Sequence, residues 1–219
     1  MSDNHLLESI RYLTDTGLAL SREKDLTHLL DRILSSAKDL TNADGGTLYL
    51  TSSDGKSLTF TSERNDTLNI YLGGLSGNPI NFPTVSLYLD DQAQNLHNVS
   101  AAAANLDQTV NIPDAYFCVD YDFSGTKKFD QSTGYRSQSF LTVPMKNHEG
   151  DMIGVLQLIN ARNPNSTVRA FNVIEQGLVE SLTSMAATAL TQRQLIDGQK
   201  KLFDSVVQLI ANAIDAKSP

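Results

Sequence analysis

The chain carries one cysteine, Cys118, in 219 residues. No disulfide can form within it, and the composition fits a reducing compartment. It also lacks a surplus of positive charge. Lys and Arg number 17 against 25 Asp and Glu, a net charge of −8. Nucleic-acid phosphates would be repelled unless a local basic patch offset this, and Lys127-Lys128 and Lys200-Lys201 are isolated pairs. No window approaches the ~20 apolar residues of a membrane span. The opening MSDNHLLESIRYL has neither the basic start nor the continuous apolar run of a secretory leader. These absences predict a soluble, cytoplasmic chain with neither nucleic acid nor membrane among its partners.

Catalytic patterns are missing as well. His5, His28, His97 and His148 fall in different predicted elements without metal-ligand spacing. Gly73-Gly74 and Gly77 are followed by no Lys-Ser/Thr, so they form no phosphate loop. No Ser-His-Asp or Cys-His arrangement is placed to act as a nucleophile. Asp114, Asp120, Asp122 and Asp130 lack the spaced glycine and terminal glutamate of a calcium loop, so turn and capping roles are expected of them. The fragment is read as a non-enzyme with no metal and no cofactor.

What is present separates into three regions, 1–24, 25–168 and 169–219. Residues 3–41 read as helix, broken near Gly17–Lys24. Leu6, Ile10, Leu13, Gly17 and Leu20 recur at steps of four and three, a seam for a partner helix. Behind an N-cap at Asp25, Leu26 to Leu40 carry a wider apolar stripe suited to a sheet. Strands are predicted at Gly46–Thr51 and Lys56–Arg64 around the turn Ser52-Ser53-Asp54-Gly55, and at Pro83–Leu89. A second hairpin joins Ser139–Lys146 and Met152–Ile159 through 147–150. Residues 69–81 read as a mobile loop, Asn98–Leu106 as a short helix and 111–136 as irregular. The sum is an α+β domain with five or six mostly antiparallel strands and helices on one face.

The third region is a long helix. Leu178, Leu182, Met185, Ala189, Ile196, Phe203, Val206 and Ile210 stand at a/d spacing, with Gln192 and Gln199 as polar breaks. Such a seam is too long for one small domain to cover, so a two-stranded coiled coil with a second copy is expected, a homodimer. A fold-back near Gly198 is the alternative.

The segment Asn111–Asn160 adds a resemblance. Asn111-Ile112-Pro113-Asp114-Ala115-Tyr116, Phe129-Asp130, Thr133-Gly134-Tyr135-Arg136, Leu141-Thr142-Val143-Pro144-Met145 and Gly154–Asn160 resemble, in order and spacing, the GAF domain family. These are small-molecule sensor modules of cyclic-nucleotide phosphodiesterases, cyclases and bacterial signalling proteins. The resemblance covers roughly residues 26–190 and implies a ligand cavity between the sheet and residues 111–136. Six aromatics stand between Tyr116 and Tyr135, enough to wall a planar guest. The expected ligand side chains are Asp114, Tyr116, Phe123, Phe129 and Tyr135, with Ser86 and Phe140 from neighbouring strands.

Members that bind cyclic nucleotides often carry Asn-Lys, then Phe, then three residues and Asp-Glu. The matching positions are Asn160-Ala161, Phe171 and Glu175-Gln176, so the usual Lys–Asp pair cannot form. Val119 follows Cys118 where bilin-binding members place a histidine. A second resemblance, Leu209–Pro219, is to the entry of an HD-GYP phosphohydrolase domain. It implies that the chain is a regulatory fragment, joined in cis to an output enzyme that hydrolyses cyclic di-GMP. The alternative from another class is a structural dimerisation module that binds no ligand.

Overall fold

The computed structural model describes residues 3–215, with side chains described between Leu6 and Asn212. The end of the Leu209–Pro219 motif lies outside these described residues. Five helices and eight strands follow in the order α1 (Asp3–Arg22), α2 (Leu26–Thr41), β1 (Ala43–Thr51), β2 (Ser57–Asn65), β3 (Ile70–Gly73), β4 (Val85–Ser86), α3 (Val99–Leu106), β5 (Val110–Ile112), α4 (Ser124–Thr133), β6 (Phe140–Lys146), β7 (Met152–Arg162), β8 (Val168–Arg169) and α5 (Val173–Asp215). The antiparallel sheet runs β3-β2-β1-β7-β6-β5, with β4 paired to β2 and β8 to β7.

The period of two along the central strands divides the core. Leu48, Leu141, Val143, Leu156 and Leu158 face one way and bury against α1, α2 and α5. Tyr49 and Val155 face the other way, against Ala101 and Ala104 of α3, and Phe140 meets Phe123 at the start of α4. Helices on one face therefore describes the three longest ones, while the two short helices cover the opposite face. Gly154 sits where the sheet is tightest. A Cβ there would stand 2.0 Å from the Tyr49 carbonyl oxygen.

The break in the first helical region falls after Arg22, where Asp25 accepts from the His28 amide and starts α2. The loop expected at 69–81 contains β3 and a short 3-10 turn, because Ser62 to Asn65 pair with Gly73 to Ile70. The strand expected over Pro83–Leu89 shrinks to Val85–Ser86. In the segment read as irregular, Val110–Ile112 pairs with β6 and Ser124–Thr133 is helical. The last helix begins at Val173, four residues later than the region boundary, because Val168–Arg169 pairs with β7.

One irregularity in β2 matters for the site. Leu48 pairs with Ser62 but Tyr49 pairs with Phe60, so Thr61 is left out of the ladder as a bulge. Simple alternation from Leu58 and Phe60 would place Ser62 and Arg64 on their face. The extra residue puts Glu63 there instead, opposite Thr47.

The a/d seam of α5 divides into two halves. Leu178, Leu182 and Ala189 are buried in the chain's own core, and a Cβ on Gly17 of α1 would stand 2.3 Å from the Met185 sulfur. That half of the expected dimer seam is occupied by α1, α2 and the sheet. Past it the helix projects free, and Ile196, Phe203, Val206 and Ile210 are all 45% exposed or more. No fold-back occurs at Gly198, where α5 continues unbroken to Asp215.

Candidate functional site

A cleft of about 230 Å³ opens between the sheet and the cover made by α4, the 134–137 segment and Phe82. Its floor is a cross-strand row in which Glu63 of β2 pairs with Thr47 of β1 and Thr47 with Gln157 of β7; Thr142 of β6, the next residue in the row, is wholly buried behind it. Tyr49, Phe60, Phe129 and Phe140 supply aromatic walls. A mostly apolar concavity with a few fixed polar groups is the usual form of a small-molecule site, though this volume lies below the ~300–1,000 Å³ typical of such pockets.

Three of the seven residues expected at the ligand line this cleft, namely Phe129, Tyr135 and Phe140. The other four do not reach it. Phe123 is buried against Phe140, with ring centroids 5.0 Å apart. Tyr116 donates to Asp130 at 2.8 Å, and this acceptor holds its phenol above the ordinary range. Asp114 accepts from the Tyr116 amide and pairs with Arg136 at 3.2 Å, a turn-forming role. Ser86 is exposed and donates to the Tyr88 carbonyl.

The cover is tied down by carboxylates. Asp130, only 3% exposed, accepts from the Ser137 amide and hydroxyl, each at 2.8 Å. Asp122 accepts from the Ser124 amide at the start of α4. Tyr135 donates its hydroxyl to buried Asp44, which also pairs with Arg162, and receives a bond from Asn160 at 2.9 Å. Burial first, and Asp44 second, push the Tyr135 phenol well up. Among the described residues, no group of three or more His, Cys, Asp or Glu side chains is placed to hold a metal ion.

Sequence reasoning missed the floor. Glu63 escaped notice because alternation through Leu58 and Phe60 points it away, and only the bulge at Thr61 returns it. Burial alone pushes its carboxyl up to about 7, and its Oε2 is buried without a partner. Gln157, 7% exposed, donates to Ser100 and Thr142, both at 3.2 Å. The adjacent Arg64 turns to the other face, where it meets Asp31 of α2 at 2.5 Å and lies over the Tyr71 ring.

The missing lysine at Ala161 has a structural substitute. Ala161 is wholly buried. Arg169 instead grips Glu175 through both oxygens, at 2.8 and 2.5 Å. Glu175 accepts from the Asn172 amide while Asn172 accepts from that of Glu175, a reciprocal cap on α5.

The GAF domain family model matches residues 25–190. Over 185 residues the chain is 27% identical to the dual 3',5'-cyclic-AMP and -GMP phosphodiesterase 11A of Takifugu rubripes, covering 84% of this chain and 19% of that protein. Over 99 residues it is 32% identical to the dual 3',5'-cyclic-AMP and -GMP phosphodiesterase 11 of Drosophila melanogaster, covering 45% and 6%. Over 65 residues it is 37% identical to the cGMP-specific 3',5'-cyclic phosphodiesterase of Drosophila melanogaster, covering 30% and 6%. The chain thus spans only a small part of these relatives' length. In fold it is similar to the GAF domain of an Acinetobacter phosphoenolpyruvate-protein phosphotransferase, with TM-score 0.62 and 14% identity over 90% of this chain and 99% of that one. It is likewise similar to the free methionine-R-sulfoxide reductase of Neisseria meningitidis, with TM-score 0.62 and 15% identity over 90% and 95%. On the match to residues 25–190, the chain belongs to the GAF domain family.

Proposed function

We propose that this chain is the cytoplasmic, dimeric sensor unit of a signalling protein and that a cyclic nucleotide occupies the cleft over the central sheet. The observation that carries this reading is the cleft itself, floored by a fixed polar row and walled by aromatic rings. The printed activities of the phosphodiesterase relatives support the ligand class. The intact β8–α5 junction supports it too, since Arg169–Glu175 supplies the ion pair that Ala161 had put in doubt.

Ligand binding orders the cover and biases α5, whose free half self-associates and passes the change to an output domain in cis. An HD-GYP phosphohydrolase is the output domain proposed from the Leu209–Pro219 resemblance. Coupling of this kind is bounded by the ligand's differential affinity for the two states, typically ~1–3 kcal/mol.

The test is thermal melting with cAMP, cGMP and cyclic di-GMP. A ligand at 100 times its Kd adds ~2.7 kcal/mol, a rise of roughly 5–10 °C for a chain of this size. A panel that leaves the melting temperature unchanged would replace this reading by the structural dimerisation module.

A further inference from the structure

Five residues among those described hold a buried side-chain oxygen or nitrogen without a hydrogen-bond partner: Thr51, Ser62, Glu63, Arg64 and Thr191. Only Glu63 combines an unpartnered acceptor with a place on the cleft floor. A buried acceptor left unmatched is costly, so a guest that donates to it gains more than it would at a solvated site. The neighbouring groups add few donors. Both amide protons of Gln157 go to Ser100 and Thr142, leaving its carbonyl oxygen to offer. Tyr135 already donates to Asp44, and the Arg64 guanidinium lies on the opposite face with Asp31 and Tyr71.

Resting on the cyclic-nucleotide reading above, we propose that Glu63 is the specificity-determining residue of the cleft. It reads the hydrogen-bonding edge of a purine base, and its protonation state selects which base is preferred. The chemistry is complementary. Guanine presents two adjacent donors, N1–H and the N2 amino group, which match the two acceptor oxygens of a carboxylate. Adenine presents a donor, the N6 amino group, beside an acceptor, N1. That pair matches a protonated carboxyl, which accepts through one oxygen and donates through the other.

Burial supplies the switch. Glu63 changes state near pH 7 because desolvation penalises its anion. Other titratable and charged groups stand on the elements around it. Tyr49 on β1 is pushed well above its ordinary value by burial, and Tyr135 of the cover is likewise raised. On α4, Lys127 lies 5.5 Å from the Tyr116 ring centroid and Lys128 is exposed. Arg64 is paired with Asp31. The sign follows directly. Above pH 7 the ionised carboxylate favours guanine, and below it the protonated carboxyl favours adenine.

The experiment is calorimetric titration of the whole chain with cGMP and cAMP at pH 6 and pH 8, repeated with Glu63→Gln. A bidentate base contact is worth about a 5- to 150-fold preference. The wild type should therefore bind cGMP roughly tenfold more tightly relative to cAMP at pH 8 than at pH 6. The amide introduced by the substitution offers one donor and one acceptor at every pH, like the protonated acid. The variant should keep cAMP binding, lose about tenfold in cGMP affinity at pH 8, and show no pH dependence of the ratio. A cGMP-to-cAMP ratio unchanged by pH and by the substitution would overturn the Glu63 assignment while leaving the sensor reading intact. Absence of heat and of melting shift with both nucleotides in the wild type would overturn both.

Discussion

The two halves of α5 carry the same a/d pattern but have different partners. From Leu178 to Leu190 the seam is filled by the chain's own α1, α2 and sheet, with Leu182 and Leu190 fully buried. From Leu195 to Ile210 every large apolar side chain is exposed, including Leu195, Leu202 and Leu209 beside the a/d positions. A run of that kind is far from the scattered single exposures of an ordinary surface. A heptad thus records that a stripe is to be covered without recording by what. The proximal half is a core helix, and the distal half is an apolar stripe left exposed by its own chain.

The largest expected effect separates the halves outright. A chain ended at residue 194 should keep its fold and lose self-association, so analytical ultracentrifugation should change from dimer to monomer. A dimer that survives this truncation would place the interface elsewhere, on α1 or the sheet. Next in size is Leu182→Ala, which removes a fully buried side chain between α5 and the sheet. It should cost about 2–5 kcal/mol of folding free energy, read by denaturant unfolding. Phe203→Ala in the distal half should leave the unfolding of the monomer within about 0.5 kcal/mol of wild type and weaken only the dimer. Equal effects of the two substitutions on folding would erase the distinction.

Smaller changes sharpen the proximal half. Arg169→Ala strips the bidentate partner from Glu175, 5% exposed, at the first turn of α5. A loss of about 1–3 kcal/mol is expected. Smallest is Gly17→Ala. Its Cβ must displace the Met185 sulfur, costing about 1–3 kcal/mol, against a gain of about 1 kcal/mol in helix propensity. The net should be a modest destabilisation that disappears in a Met185→Ala background. If Gly17→Ala is stabilising in the wild type, α1 does not pack on α5 as described.

Much of this architecture was legible in the residues. Turn chemistry at Ser52–Gly55 and 147–150 located both hairpins, and Asn98 caps α3 through the Ser100 and Ala101 amides. The elements that escaped reading share a cause. α4 is largely polar, SGTKKFDQST, with one large apolar residue, Phe129, so it carries no helical stripe. β5 is three residues long and is held by its partner β6 rather than by its own pattern. β3 borders Gly73-Gly74, which reads as loop although the ladder to β2 continues to Gly73. At the site, aromatic content singled out Phe129, Tyr135 and Phe140, which line the cleft. It could not tell that Tyr116 and Asp114 are committed to holding the cover closed.

The bulge at Thr61 has a consequence for the charge of the cleft. Glu63 and Arg64 are consecutive, so their side chains point to opposite faces of the sheet, and the Arg64 guanidinium goes to Asp31. If the unpaired residue lay beyond Arg64 instead of at Thr61, the same amino acids would turn Ser62 and Arg64 toward the guest and hide Glu63 under α2. The chamber would then greet a ligand with a cation in place of an acid. The placement of a single out-of-step residue therefore sets the polarity of the chamber, independently of composition.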